Sequence, residues 1–148
     1  MAYIYELEYK IHSVIDNLDE SGLSDGDPEI NIMTQCGFFK VSEDSSLISY
    51  AESTDGGRVL TDITQAEGEV RLSRRGAVVF DTVFREGELS EGLYSIPPYS
   101  FDATVRTRKI RGGITKEGGE LSIIYDMTVG GQAKAVRLKI SAKPKARA

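Results

Sequence analysis

Residues 69–80 read EVRLSRRGAVVF. Counted by twos, Val70 and Leu72 share one side of an extended chain, and the next residue on that side is Arg74. Alternation of this kind, closed by a glycine at Gly76, predicts a β-strand followed by a turn. The strand sends a guanidinium to the side where its apolar residues go. Arg75, on the opposite parity, is expected in solvent.

The same period of two runs outward from this stretch in both directions. Tyr3, Tyr5, Leu7, Tyr9 and Ile11 form one face of a first strand, with Glu6, Glu8 and Lys10 on the other. Ile30, Ile32, Thr34 and Cys36 form a second face, and Gly37 is expected to bulge that strand and pass the apolar side to Phe39 and Val41. Further inward sets are Ile48, Tyr50 and Glu52; Val59, Thr61 and Ile63; Val78, Phe80 and Phe84; and Leu89 with Leu93. Phe101, Ala103, Val105 and Thr107 follow, then Leu121, Ile123, Tyr125 and Met127, and last Val136, Leu138 and Ile140. No window sustains the i, i+3, i+4 spacing of a helix. Gly-rich breaks at 55–57, 74–76, 85–87, 112–113, 118–119 and 130–131 supply the positive φ that tight hairpins need. Residues 16–29, DNLDESGLSDGDPE, are the one long loop, and IPPY (96–99) is an extended corner. The prediction is an all-β, antiparallel up-and-down barrel of eight to ten strands, because closure removes exposed edges. A sandwich is the second choice.

Composition sets the frame. A chain of 148 residues with 28% charged residues fits one soluble domain, 1–148, with 143–148 as a charged tail. Cys36 is the only cysteine, so an internal disulfide or a cysteine zinc site is excluded. The start MAYIYELEYK meets Glu6 and Glu8 at once, and a signal peptide is not expected. No run approaches the ~20 apolar residues of a membrane helix. A cytoplasmic protein without a membrane role is the expectation. Net charge is −5, divided as −10 over residues 1–57 and +5 over residues 58–148. In a closed barrel the first and last strands pair, which would set Glu6 and Glu8 near Lys134, Arg137 and Lys139.

Four segments in order, ISYAE (48–52), VRLSRRGAVV (70–79), YSIPPYSFDATVRT (94–107) and GELSIIYDMTVG (119–130), resemble the bacterial YwiB-like family. The shared pieces are Tyr50 with Glu52, Arg74 with Gly76, Ala77 and Val78, and the run Tyr125, Asp126, Met127. The likeness extends from about Tyr5 to Ser141. It implies a calycin-like, lipocalin-like β-barrel, and it brings no activity with it.

Function must then be read from the residues. Tyr50, Glu52, Arg74, Thr107 and Tyr125 share faces with core positions and are the candidate ligand-binding residues of the barrel interior. A buried arginine or carboxylate without a partner is costly, so a Glu52–Arg74 pair is expected, with tyrosine hydroxyls beside it. Such a pair can plug a packed barrel. Alternatively, Arg74 with Tyr50 or Tyr125 can anchor a small amphipathic or anionic ligand whose body runs along Phe80, Phe84, Leu93 and Val105.

Other chemistries are weaker. His12 is the only histidine and stands beside no nucleophile motif, so no catalytic residue is assigned and the chain is not expected to be an enzyme. The acidic loop lacks EF-hand spacing, and no Gly-Lys-Ser/Thr follows the glycine pairs, so no metal and no cofactor is assigned. Arg106, Arg108, Lys109, Arg137 and Lys139 form a candidate outer basic strip for nucleic acid. Nucleic acid is disfavoured as a partner by the acidic balance. The alternative to a ligand carrier is thus a filled structural barrel that meets a protein or RNA through that strip.

Overall fold

In the computed structural model, residues 3–145 are described, and they contain ten strands and no helix. The strands are β1 (Tyr3–Asn17), β2 (Glu29–Val41), β3 (Ser45–Thr54), β4 (Gly57–Ala66), β5 (Glu69–Gly76), β6 (Val79–Phe84), β7 (Leu89–Ile96), β8 (Tyr99–Thr115), β9 (Gly118–Val129) and β10 (Gln132–Pro144). Each pairs antiparallel with the next, and β1 pairs with β10, closing the sheet into an up-and-down barrel. Closure leaves one inner face for all ten strands, so the period-two pattern sorts side chains into inside and outside. Leu7, Tyr9, Phe39, Ile48, Ile63, Phe84, Val105, Leu121, Ile123 and Ile140 are almost wholly buried there. Each such burial contributes roughly 1.5–3 kcal/mol before entropy is counted.

Two ends result, and they differ. Odd-numbered strands run toward the end that carries the connections 18–28, 55–56, 77–78, 97–98 and 130–131. The opposite end is packed, and Gln65 ties it. From β4 its carboxamide crosses to β8, donating to the Ile114 carbonyl (2.9 Å) and accepting from the Ile114 N–H (2.8 Å). It also donates to Ser46 Oγ at 2.9 Å. A side-chain amide thus replaces the strand that β8 lacks at Ile114, because β7 pairs with β8 only as far as Arg106.

Several expectations need correction. Gly37 makes no bulge. The β1–β2 register is unbroken from Tyr3↔Val41 to Ile15↔Glu29, so Met33, Gln35, Gly37, Phe39 and Val41 face inward. Ile30, Ile32 and Cys36 face solvent, with Ile32 61% exposed. The glycine serves a close approach instead, since a Cβ at Gly37 would run into the Ser49 carbonyl oxygen of β3. The bulge lies on β8 between Thr107 and Lys109, where Arg108 has no cross-strand partner. It shifts the inward parity from Val105 and Thr107 to Ile110 and Ile114. On β7, Leu89 and Leu93 point outward, Leu93 being 58% exposed, and Tyr94 occupies the inner face.

The seam between β1 and β10 is offset from the expected one. Leu7 stands opposite Pro144, so Glu8 meets Lys143 (3.4 Å) and Glu6 meets Lys145 (3.5 Å). Lys139 pairs instead with Glu120, and Arg137 lies opposite Val14. The supposed tail from residue 143 therefore begins as strand. Its last part, 146–148, lies outside the described residues. Such exposed pairs each contribute about 0–1 kcal/mol, so the seam is held chiefly by its ladder.

Candidate functional site in the barrel interior

The inner side chains do not fill the barrel. At the end where odd-numbered strands finish, a cavity of about 510 Å³ opens, within the range of small-molecule sites. Of the two expectations, a filled interior and a hollow one, the structure has a cavity at this end and close packing at the other.

One cross-strand row builds much of the wall. Tyr50 pairs with Thr61, Thr61 with Arg74, Arg74 with Phe80, Phe80 with Tyr94, and Tyr94 with Phe101. Residues opposite each other share a face, so this row crosses β3 to β8 at one level. Its first half is polar and its second half aromatic; the Phe80 and Tyr94 rings stand 5.3 Å apart. Across the lumen, Ile11, Ile15, Met127 and Val136 supply apolar surface.

The polar half holds the expected pair. Arg74 Nη2 approaches both oxygens of Glu52, at 3.3 and 3.4 Å, and Thr61 Oγ1 donates to Glu52 Oε1 at 2.9 Å. These Arg74 contacts are long for a charge-assisted bond, and they engage one nitrogen of a fork able to present two. The Arg74 side chain keeps 22% of its surface accessible and lines the cavity. Arg75 points outward at 70% exposure, 3.9 Å from Asp62, as its parity requires.

Tyr50 and Tyr125 line the same cavity as Arg74. Burial is the main force on both hydroxyls. It raises Tyr50 well above its ordinary value, with Glu52 adding to the rise and Arg74 opposing it. Tyr125 is pushed up to about 12, again against the pull of Arg74. Both remain neutral donors at physiological pH. Neither hydroxyl has a hydrogen-bond partner among the described residues.

Four of the five residues chosen from sequence, Tyr50, Glu52, Arg74 and Tyr125, line one cavity. Thr107 does not. It is inward and 1% exposed, but it lies in the packed half, where its hydroxyl is unpartnered. The proposed course for a ligand body is also revised. Phe80 lines the cavity, Phe84 and Val105 are packed below it, and Leu93 is outside. Phe84 instead supports the Tyr125 ring at 4.8 Å.

Sequence reasoning placed Phe101 and Met127 inward but missed Tyr94 and Lys134 as lining residues, though two turns carried the signal. Pro97–Pro98 and Gly130–Gly131 each leave two residues between strands, so inward Phe101 fixes Tyr94, and inward Met127 fixes Lys134. Lys134 therefore looks into the mouth instead of toward Glu6 and Glu8.

The candidate basic strip lies on the outer face of β8, β9 and β10. Arg108 is ion-paired with Asp126 at 2.5 Å and Lys139 with Glu120 at 3.4 Å. Arg106, Lys109 and Arg137 are exposed without an ion pair among the described residues. No group of three metal-ligating side chains and no helix long and apolar enough to cross a membrane occurs among the described residues.

Comparison with known proteins agrees with this architecture. A family model described as a domain of unknown function, DUF1934, matches residues 11–140. The uncharacterized β-barrel protein YwiB of Bacillus subtilis (strain 168) is 33% identical over 106 residues, which are 72% of this chain and 75% of that protein. The crystal structure of the Bacillus subtilis ywiB protein matches with a TM-score of 0.84 at 27% identity, covering 97% of this chain and 94% of that one.

Proposed function

The chain belongs to the DUF1934 family, a family of unknown function that includes the resemblance drawn from its four segments, and we propose that it is a non-catalytic, cytoplasmic binding module for a small amphipathic or anionic molecule. The observation that carries this reading is that Arg74, Tyr50 and Tyr125 all line one cavity together with a broad apolar surface from Ile11, Ile15, Phe80 and Val136. Unsatisfied donors inside a hydrophobic hollow favour a ligand that brings acceptors for them and an apolar body for the walls. Phe80, Tyr94 and Phe101 would cover that body. The hydroxyl–carboxylate contact beside the donors joins Thr61, which is buried, to Glu52, which is already paired with Arg74, and His12 lies on an outward position of β1, opposite Lys139.

A protein or RNA surface on β8–β10 has less support. Two of its five cations are already neutralised within the barrel wall, leaving Arg106, Lys109 and Arg137.

Native mass spectrometry of the purified chain tests the binding reading. A retained or added amphiphile should be held by the wild type and lost on Arg74→Ala, with the fold checked by circular dichroism. Failure of the wild type to retain or bind any member of a panel of alkyl amphiphiles would overturn it.

A further inference from the structure

We infer that the cavity selects its ligand by head-group charge, taking an uncharged head that accepts hydrogen bonds in preference to a carboxylate. This rests on the binding reading above and narrows it.

The charge of Arg74 is already answered inside the protein. Glu52 lies against Nη2 and is itself held by Thr61, so this polar cluster carries no net formal charge. What the cluster retains is a surplus of donors. Arg74 Nε and Nη1 and the hydroxyls of Tyr50 and Tyr125 have no acceptor among the described residues, while Glu52, the one strong acceptor there, is engaged. A carbonyl or amide oxygen satisfies such donors and adds no charge. A carboxylate would satisfy them too, but it would place a second anion beside Glu52 around a single guanidinium, with apolar Leu72, Phe80 and Val136 behind it. Two carboxylates sharing one site cannot both ionise without penalty.

The entrance has the same bias. Loop 18–28 is fastened to the rim through Leu18, whose N–H donates to the Ala133 carbonyl at 3.0 Å and whose carbonyl accepts from Gln132 Nε2 at 3.1 Å. This loop and its flanks carry Asp16, Asp19, Glu20, Asp25, Asp27 and Glu29. Lys134 and Arg74 are the two cations among the cavity-lining residues, and Arg74 is already paired with Glu52. An approaching anion therefore meets the acidic loop 18–28 at one side of the mouth and, inside it, the internally neutralised Glu52–Arg74 pair.

Dodecanamide and dodecanoate, matched in chain and differing in head charge, test the inference by titration into the full-length protein at neutral pH. The amide should bind about tenfold more tightly to the wild type. In Glu52→Gln, which keeps the side-chain shape and removes the charge, dodecanoate should gain about tenfold and the preference for the amide should disappear. Equal binding of the two probes, or tighter binding of dodecanoate, by the wild type overturns the charge selection while leaving the binding module intact. Binding of neither probe by either protein removes the binding reading and the selection with it. The wild-type comparison stands even if the variant folds poorly.

Discussion

Replacing Gln65 by methionine should loosen the packed end of the barrel without touching the cavity. The substitution keeps the length of the side chain and removes both its donor and its acceptor. Three hydrogen bonds are lost, those to the Ile114 carbonyl, from the Ile114 N–H and to Ser46 Oγ. Each is worth roughly 1 kcal/mol net, and a buried backbone group left unpaired costs about 1–3 kcal/mol. Ile114 is 3% exposed, so water cannot readily take over its two backbone groups. The three bonds alone give about 3 kcal/mol. For a chain of this size that corresponds to a fall in Tm of about 6–12 °C. Urea unfolding followed by circular dichroism would show the midpoint falling at unchanged slope. Amide exchange at Ile114 should accelerate more than exchange at Leu121 or Ile123. A loss below about 1 kcal/mol, or an unchanged Ile114 exchange rate, would refute the idea that a side-chain amide completes this edge.

Two other outcomes follow from the geometry. Gly37→Ala should cost roughly 1–3 kcal/mol by overpacking, because the new methyl group meets the Ser49 backbone and no flexible side chain can give way; an unchanged Tm counts against the close approach. Tyr125 should titrate late. Its proton is held to about pH 12 in the barrel and released near 10 in the unfolded chain, so the stability it contributes is complete below pH 10 and declines as pH rises toward 12. Tyr125→Phe should flatten this alkaline decline and delete one late step from the tyrosinate absorbance curve, and an unaltered curve would contradict the burial of that hydroxyl.

The alternation that begins at Val70 and Leu72 was sufficient for the barrel, because closure makes inside and outside a matter of parity on every strand. It was sufficient for Arg74 too, since Thr61 and Phe80 sit opposite it at the same level. Parity failed where a strand offers apolar residues to both sides. On β2, Ile30 and Ile32 outweigh Met33 and Gln35 in hydrophobicity, yet they face out because register with Leu7, Tyr9 and Ile11 decides the matter. On β7, Leu89 and Leu93 mislead in the same way, and only the two-residue turn at Pro97–Pro98 could have corrected them. The Arg74–Glu52 pair was legible from the cost of burying either charge alone. The hollow beside it was not, because volume depends on how ten strands tilt and stagger, which no local pattern records. Gln65 was equally silent, since its partner is a backbone 49 positions away.

The β1–β10 seam has a consequence during synthesis. On the ribosome β1 emerges more than a hundred residues before β10. At ~5–20 residues per second it waits roughly 5–20 s with the edge destined for β10 unsatisfied. A waiting edge invites pairing with other nascent chains, and charged side chains are a common deterrent. Glu6 and Glu8 stand outward on this strand and find Lys145 and Lys143 only once β10 has been made. The acidity of the early half of the chain is thus suited to guarding an unfinished protein, and the late lysines cancel that guard at the moment of closure.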